Sequence, residues 1–72
     1  MGKLKVFSGK DVCKILAENG FEQVRQKGSH IVMQKKGTYT ITVPVPDHKE
    51  LRVGTLRSII RQSDLDKKLF EE

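Results

Sequence analysis

The sequence predicts an α+β fold in the order α-β-β-β-α, in which a three-stranded antiparallel sheet packs on two helices. Three observations lead to this expectation. Apolar residues recur at helical spacing near both ends of the chain, the segment between them alternates apolar and polar side chains, and short glycine-containing turns divide that segment. A chain of 72 residues, 36% of them hydrophobic, suffices for one thin core. We therefore expect a single domain over residues 1–72.

The first helix is predicted over residues 8–19, "SGKDVCKILAEN". Ser8 can cap its first turn, and Asp11, three residues later, can reach back as in a capping box. Gly20 stands where a left-handed residue ends a helix, a conformation that glycine adopts without steric penalty. The apolar residues of this helix share one face: Val12, Cys13, Ile15 and Leu16.

Three short strands are expected next, because alternating β-type runs are separated by turn residues. Gly28 followed by Ser29 fits a two-residue hairpin turn of type II′. The second connection, around Lys36 and Gly37, is also expected to be short. The predicted strands are residues 21–27, 30–36 and 38–44.

Side chains of a strand alternate between its two faces, and this fixes the expected orientation of the sheet. Ile31 and Met33 would face the helices, whereas His30 would lie on the opposite, solvent-exposed face or at its edge. In the third strand the sequence predicts that Tyr39 packs in the sheet, in phase with Ile41 and Val43.

The C-terminal part of the chain is predicted to be a loop followed by helical structure. Residues 44–54, "PVPDHKELRVG", read as a loop, because prolines lack the N–H that a ladder needs. A second helix is expected from about Thr55 to Ser63. Its buried stripe would be Leu56, Ile59 and Ile60, and the final helical turn would pack through Leu65, Leu69 and Phe70.

The charge distribution favours a polyanionic partner. The chain carries 14 basic and 9 acidic residues, a net charge of +5. Up to residue 36 the acidic residues are only Asp11, Glu18 and Glu22, so the excess of positive charge belongs to the first helix and the sheet. A basic surface attracts nucleic acid by steering and counterion release.

Several function classes are disfavoured by composition. The single cysteine, Cys13, excludes an internal disulfide, and we assign it to the core of the first helix. Cysteine and histidine do not occur at zinc-ligand spacing, so neither a metal nor a cofactor is expected. Because no apolar run could form a signal peptide or cross a bilayer, we expect a cytoplasmic protein that does not bind membranes.

His30 is the first candidate for chemistry. A histidine can take up or release a proton near neutral pH, as cleavage of RNA through the ribose 2′-hydroxyl requires. Its neighbours could hold the phosphate and its developing charge: Arg25, Lys27, Lys35 and Lys36, with Ser29 as a hydrogen-bond donor. On the pattern alone, a solvent-exposed histidine after a hairpin is the simpler interpretation.

Other candidates are weaker. His48, beside Asp47 in the proline-bounded loop, could supply a second proton-transfer group if that loop folded toward the sheet. Ser29 lacks the base and orienting acid that a serine nucleophile needs. Cations on the two helices could follow a phosphate backbone as one stripe, although solvated helix faces are the ordinary interpretation: Lys10, Lys14, Arg57 and Arg61.

Residues 25–65 resemble the HicA family of toxins from toxin–antitoxin systems, known as messenger RNA interferases. The resemblance is carried by the following residues: Gly28-Ser29-His30, Val43-Pro44, Gly54-Thr55-Leu56, Ile59-Ile60, Arg61-Gln62 and, before them, Asn19-Gly20-Phe21. One departure is Met33, where the family often has an aromatic residue; since Met33 should face the core, packing is affected more than chemistry.

The resemblance implies a fold similar to the double-stranded RNA-binding domain and cleavage of messenger RNA without a metal. It also implies inhibition by a HicB-type antitoxin. On this basis Gly28 makes the turn, Ser29 flanks the site and His30 is catalytic, which reverses the simpler interpretation of that histidine. Two alternatives remain open: a non-catalytic RNA-binding module of the same fold, and a protein that mainly binds an acidic partner.

Overall fold

The computed structural model describes residues 6–71 and confirms the predicted order of elements. Residues 1–5, on which the expectation of no signal peptide partly rests, and Glu72, at the end of the last predicted turn, lie outside the described residues. The elements are α1 (Gly9–Glu18), β1 (Glu22–Lys27), β2 (His30–Lys35), β3 (Ile41–Pro46), α2 (Val53–Ser63) and a final 3₁₀ turn (Lys67–Phe70).

Helix α1 begins with the predicted capping box. The Asp11 N–H donates to Ser8 Oγ at 3.0 Å, and the Ser8 N–H donates to Asp11 Oδ2 at 3.1 Å. Both bonds satisfy backbone donors that have no partner within the helix. After the helix, Gly20 has φ +94°, which confirms the predicted left-handed residue. The buried side of the helix is formed by Val12 and Leu16, with Cys13 and Ile15 partly buried.

The sheet is antiparallel with strand order β1-β2-β3. At its first turn Gly28 has φ +59° while Ser29 does not take a positive φ, as a type II′ turn requires. The predicted faces of β2 are confirmed, because Ile31 and Met33 are only 4% and 2% exposed whereas His30 is exposed.

The third strand differs from the prediction at both ends. It begins at Ile41, so residues 36–40 form a longer connection than expected, and Tyr39 lies in that connection with 67% of its surface exposed. The prediction that Tyr39 packs in the sheet was therefore wrong. The strand also continues through Pro44 and Pro46, which pair with Val32 and His30, so the predicted loop begins later.

The direction of the backbone N–H groups explains how β3 accommodates two prolines. Just after the strand, the Asp47 N–H donates to the Ser29 carbonyl at 2.6 Å. Alternate N–H groups of an antiparallel strand point the same way, so residues 43 and 45 also point toward β2, whereas Pro44 and Pro46 point away from it. Because β3 is an edge strand, its proline side does not face another strand of the sheet. The missing N–H groups of the two prolines therefore interrupt no ladder.

Helix α2 and the final turn close the core over β3. The helix starts two residues before the predicted Thr55, and its predicted apolar stripe is buried. Ser63 ends it as expected, since its Oγ donates to the Ile60 carbonyl at 2.8 Å and accepts from the Leu65 N–H. Phe70 is fully buried and meets Phe7 edge to face, with ring centroids 6.0 Å apart.

The predicted packing of Leu69 was wrong, since 44% of its surface is exposed. The last element is a 3₁₀ turn, in which residues three apart share a face. When Phe70 points into the core, Leu69 is turned away from it. Leu65, which precedes this turn, packs partly buried against the core as predicted.

The layering leaves one strand partly uncovered. Helix α2 packs on β3, and α1 contacts all three strands. Every residue of β1 is exposed. Gln23 and Gln26 pair with the buried residues Met33 and Ile31, so their positions face the inner side of the sheet, yet both remain exposed in the described part of the chain.

Candidate functional site

His30 lies at the hairpin end of the sheet, where it is the first residue of β2. It pairs with Lys27 on one side and with Pro46 on the other. Paired residues of an antiparallel ladder point to the same face, so the Lys27 side chain lies beside the imidazole on the outer face. Within residues 6–71 the His30 side chain makes no hydrogen bond, and it is exposed. Its ring is free to meet a ligand.

Arg25 is the second cation near His30. It pairs with Val32 and follows a bulge between Gln23 and Arg25. Residues 25 and 27 share one face of β1, so Arg25 stands diagonally from His30, about 7–8 Å away between Cα atoms. The outer face at the hairpin therefore carries two cations and one imidazole.

The position of the hairpin turn is fixed by its neighbours. Gly28 supplies the positive φ, and the Ser29 carbonyl accepts the Asp47 N–H across from the end of β3. A Cβ at Gly28 would meet no atom within 4 Å, so its glycine is required by the backbone conformation and not by crowding. Together these contacts hold Ser29 and His30 at the end of the sheet.

Lys35 and Lys36 do not join this cluster. They lie at the opposite end of β2, five or six residues from His30, which is about 17–20 Å at the rise of a strand. The Lys35 side chain runs past Gly20 and places its Nζ 6.0 Å from the centroid of the Phe21 ring. Its contacts are those of a cation packed on an aromatic ring.

His48 turns toward the start of α1. Its carbonyl accepts the Gly9 N–H at 2.8 Å, and its residue borders a cavity with Ser8 and Lys10 that does not include His30. Gly9 is packed so closely on the Pro46 carbonyl that a Cβ there would collide with it. Sequence reasoning had given Gly9 no role, although it anchors the segment that follows β3.

A groove of about 440 Å³ runs between α1 and the inner side of β1. This groove was not predicted from the sequence. Cys13 was assigned to the core, and Gln23 and Gln26 were given no role. The signal in the sequence is the polar glutamine pair at inner-face positions of an edge strand. Its walls include Lys10, Cys13 and Lys14 from α1, Gln23 and Gln26 from β1, and Asp47.

Cys13 lies in the wall of this groove, and its surroundings affect its thiol. Partial burial raises the pKa of its thiol, and the negative charge of Asp47 raises it further. The thiol therefore stays neutral at physiological pH and has little nucleophilic character.

The cations of the two helices border different cavities. Lys10 and Lys14 border the groove beside β1, whereas Arg57 and Arg61 border a separate cavity of about 520 Å³ at the end of α2. None of the residues predicted for the site borders that second cavity. Within residues 6–71, no three histidine, cysteine or acidic side chains are placed to hold a metal ion, and no helix is long and apolar enough to cross a membrane.

The sequence matches the model of a known protein family. The family described as the HicA toxin of bacterial toxin–antitoxin systems matches residues 9–65, which span all three strands and both α-helices. No curated protein and no solved structure matches the chain. Because the match covers well over half of the chain, the protein belongs to the HicA toxin family, and an antitoxin is the partner that this membership implies.

Proposed function

We propose that this HicA-family toxin is an endoribonuclease that cleaves messenger RNA in the cytoplasm, with His30 as general acid or base. The observation that supports it is the hairpin end of the sheet. There an exposed imidazole, which has no hydrogen-bond partner among residues 6–71, stands beside Lys27 and diagonally from Arg25. This arrangement combines a proton-transfer group with two cations that can hold a phosphodiester.

The chemistry follows from the groups that are present. A neutral imidazole can take the proton of the ribose 2′-hydroxyl, so that the 2′-oxygen attacks the adjacent phosphorus. The bond from phosphorus to the 5′-oxygen then breaks, and that oxygen takes a proton from water. If the imidazole acts as the acid instead, it starts protonated and gives its proton to the 5′-oxygen, while water takes the proton of the 2′-hydroxyl. Lys27 and Arg25 stabilise the negative charge that builds on the phosphoryl oxygens. One positioned acid or base typically contributes about 10² to 10⁴ in rate.

The antitoxin is proposed to be of the HicB type and to inhibit by covering the same surface. The cations beside His30 are exposed, so an acidic patch of the partner can pair with them. Such a complex would exclude RNA from the imidazole without any change in the fold of the toxin.

The test is a gel assay of the purified protein on a long RNA in the presence of EDTA. Wild type, His30→Ala and His48→Ala are compared after circular dichroism shows that all three are folded. His48→Ala is the matched control, because it removes an exposed histidine that borders a cavity to which His30 does not belong. Loss of cleavage in His30→Ala alone supports the proposal.

Other outcomes lead elsewhere. Equal cleavage by His30→Ala and wild type would remove His30 from the mechanism. If all three variants bind RNA in a salt-dependent way and none cleaves it, the protein is a non-catalytic RNA-binding module of the same fold.

A further inference from the structure

We infer that the groove between α1 and β1 holds one unpaired base of the RNA substrate, and that it favours a base with an exocyclic amino group. The inference rests on the proposed function and extends it, because it names the form of RNA that reaches His30. It depends on four features of the groove: its uncovered amides, its apolar floor, its basic rim and its distance from the histidine.

The amide groups of Gln23 and Gln26 have hydrogen-bonding capacity to spare. Each glutamine offers two N–H donors and a carbonyl acceptor. Within residues 6–71, Gln26 makes a single long bond, from its Nε2 to the Gly28 carbonyl at 3.4 Å, and the Gln23 side chain makes none. These groups lie on the inner side of an edge strand, where a core would need apolar side chains. Their polarity suits a ligand that has hydrogen-bonding edges.

The floor of the groove suits the flat face of a base. It is formed by Ile31 and Met33, which are almost completely buried, with the Cys13 thiol beside them. Because that thiol stays neutral, no charge interrupts the apolar surface. The volume of about 440 Å³ is in the lower part of the range for sites that hold small molecules.

The rim supplies charge of both signs in separate places. Lys10 and Lys14 are four residues apart on α1, so they stand next to each other, a spacing at which like charges destabilise a helix until an anion neutralises them. Phosphates flanking the base would do so. Asp47 borders the groove next to the hairpin, and its carboxylate can only accept hydrogen bonds, which favours bases that carry an amino group.

The groove ends close to the proposed catalytic histidine. Gln26 is adjacent to Lys27, and Lys27 pairs with His30, so the Cα atoms of residues 26 and 30 are within about 10 Å of each other. The RNA strand that leaves the groove passes the free end of the β-hairpin and brings a neighbouring phosphate to the imidazole of His30. Paired bases in a duplex could not enter the groove, so the substrate must be unpaired there.

The first experiment uses Cys13, the single cysteine of the chain, as a reporter inside the groove. The His30→Ala protein is alkylated with iodoacetamide at mildly alkaline pH, with or without an oligoadenylate octamer, and the rate is followed by mass spectrometry. With the octamer at about ten times its Kd, the rate should fall about tenfold. Inorganic polyphosphate at equal occupancy is the control, since it carries the charge without bases and should protect Cys13 much less.

The second experiment measures which base is preferred and whether the glutamines are responsible. By fluorescence anisotropy, an oligouridylate octamer should bind about tenfold more weakly than oligoadenylate. Gln23→Ala should weaken binding of oligoadenylate about fivefold. Gln62→Ala, which removes an exposed glutamine of α2, should not change it.

The outcomes separate this inference from the proposed function. RNA that is cleaved by wild type but does not protect Cys13, or protection by polyphosphate equal to that by RNA, overturns the base site and leaves the ribonuclease intact. Protection by RNA that wild type never cleaves supports the site and removes the catalytic claim. If RNA does not bind, both are wrong, and a groove protected only by an acidic protein partner belongs to that partner's interface.

Discussion

Two glycines at the starts of helices should respond in opposite ways to substitution by alanine. Gly9 is the first residue of α1, and a Cβ there would collide with the Pro46 carbonyl, a backbone group that cannot rotate away. Gly54 is the second residue of α2, and a Cβ there would meet no atom within 4 Å. The pair therefore isolates the effect of the close contact from the general preference of helices for alanine.

The expected changes in free energy of unfolding can be worked out from these contacts. Alanine gains about 0.5–1 kcal/mol over glycine in a helix at both positions. At Gly9 the forced displacement costs about 1–3 kcal/mol. Loss of the bond from the Gly9 N–H to the His48 carbonyl costs a further 0.5–1.5 kcal/mol or so. Gly9→Ala should therefore be destabilised by about 0.5–4 kcal/mol, whereas Gly54→Ala should gain up to about 1 kcal/mol.

The assay is urea unfolding followed by far-ultraviolet circular dichroism, with the slope m checked for equality among variants. In thermal unfolding the two variants should move in opposite directions, by roughly 4–8 °C for each kcal/mol. A Gly9→Ala protein as stable as wild type would refute the reasoning, because it would mean that β3 and the segment after it are not held against α1.

Three further predictions concern the core, the groove and the basic surface. Phe70→Ala should lower the free energy of unfolding by about 3–5 kcal/mol in urea titrations, whereas Leu69→Ala should change it by less than about 1 kcal/mol, since only Phe70 is buried. The alkylation rate of Cys13 should rise with pH to a midpoint above the ordinary pKa of a cysteine, because burial and the charge of Asp47 both favour the neutral thiol. Asp47→Asn should lower that midpoint, which a pH series of alkylation rates would detect. An unchanged midpoint would show that the Asp47 carboxylate does not affect the Cys13 thiol. Lys27→Gln should weaken RNA binding and reduce the slope of log K against log salt by about 0.7, as expected when the protein neutralises one phosphate fewer on a single strand.

Local signals predicted the parts of the fold that local interactions determine. The capping box of Ser8 and Asp11 and the type II′ turn at Gly28 depend on residues within four positions of each other, and both were found as expected. Burial of Ile31 and Met33 followed from strict alternation, because a shift by one residue would expose both.

The wrong predictions concern features that depend on tertiary position. Pro44 and Pro46 looked incompatible with a strand, and only the place of β3 at the edge of the sheet makes them acceptable. Tyr39 continued an alternating pattern that ended when the chain left the ladder. Leu69 and Phe70 are both apolar, and only the 3₁₀ geometry of the last turn decides which of them is buried.

The candidate site was predicted only in part, because some of its features depend on tertiary position. The hairpin places Lys27 opposite His30, and this follows from the predicted two-residue turn at Gly28 and Ser29, because such a turn fixes the register. The distance of Lys35 and Lys36 from His30 follows from the length of β2, which the grouping of cations by sequence neglected. The groove beside Gln23 could not be predicted, since it exists only because α1 and α2 leave the inner side of β1 uncovered.

The central claim is that His30 transfers a proton during cleavage of RNA, and the most direct test is a comparison of cleavage rates with analysis of the product ends. Single-turnover rates on one unpaired RNA, in EDTA, should fall about 10² to 10⁴-fold in His30→Ala and remain unchanged in His48→Ala. Attack by the 2′-oxygen should leave a 2′,3′-cyclic phosphate on one fragment and a 5′-hydroxyl on the other. A His30→Ala rate equal to that of wild type, or products with a 5′-phosphate, would contradict the mechanism.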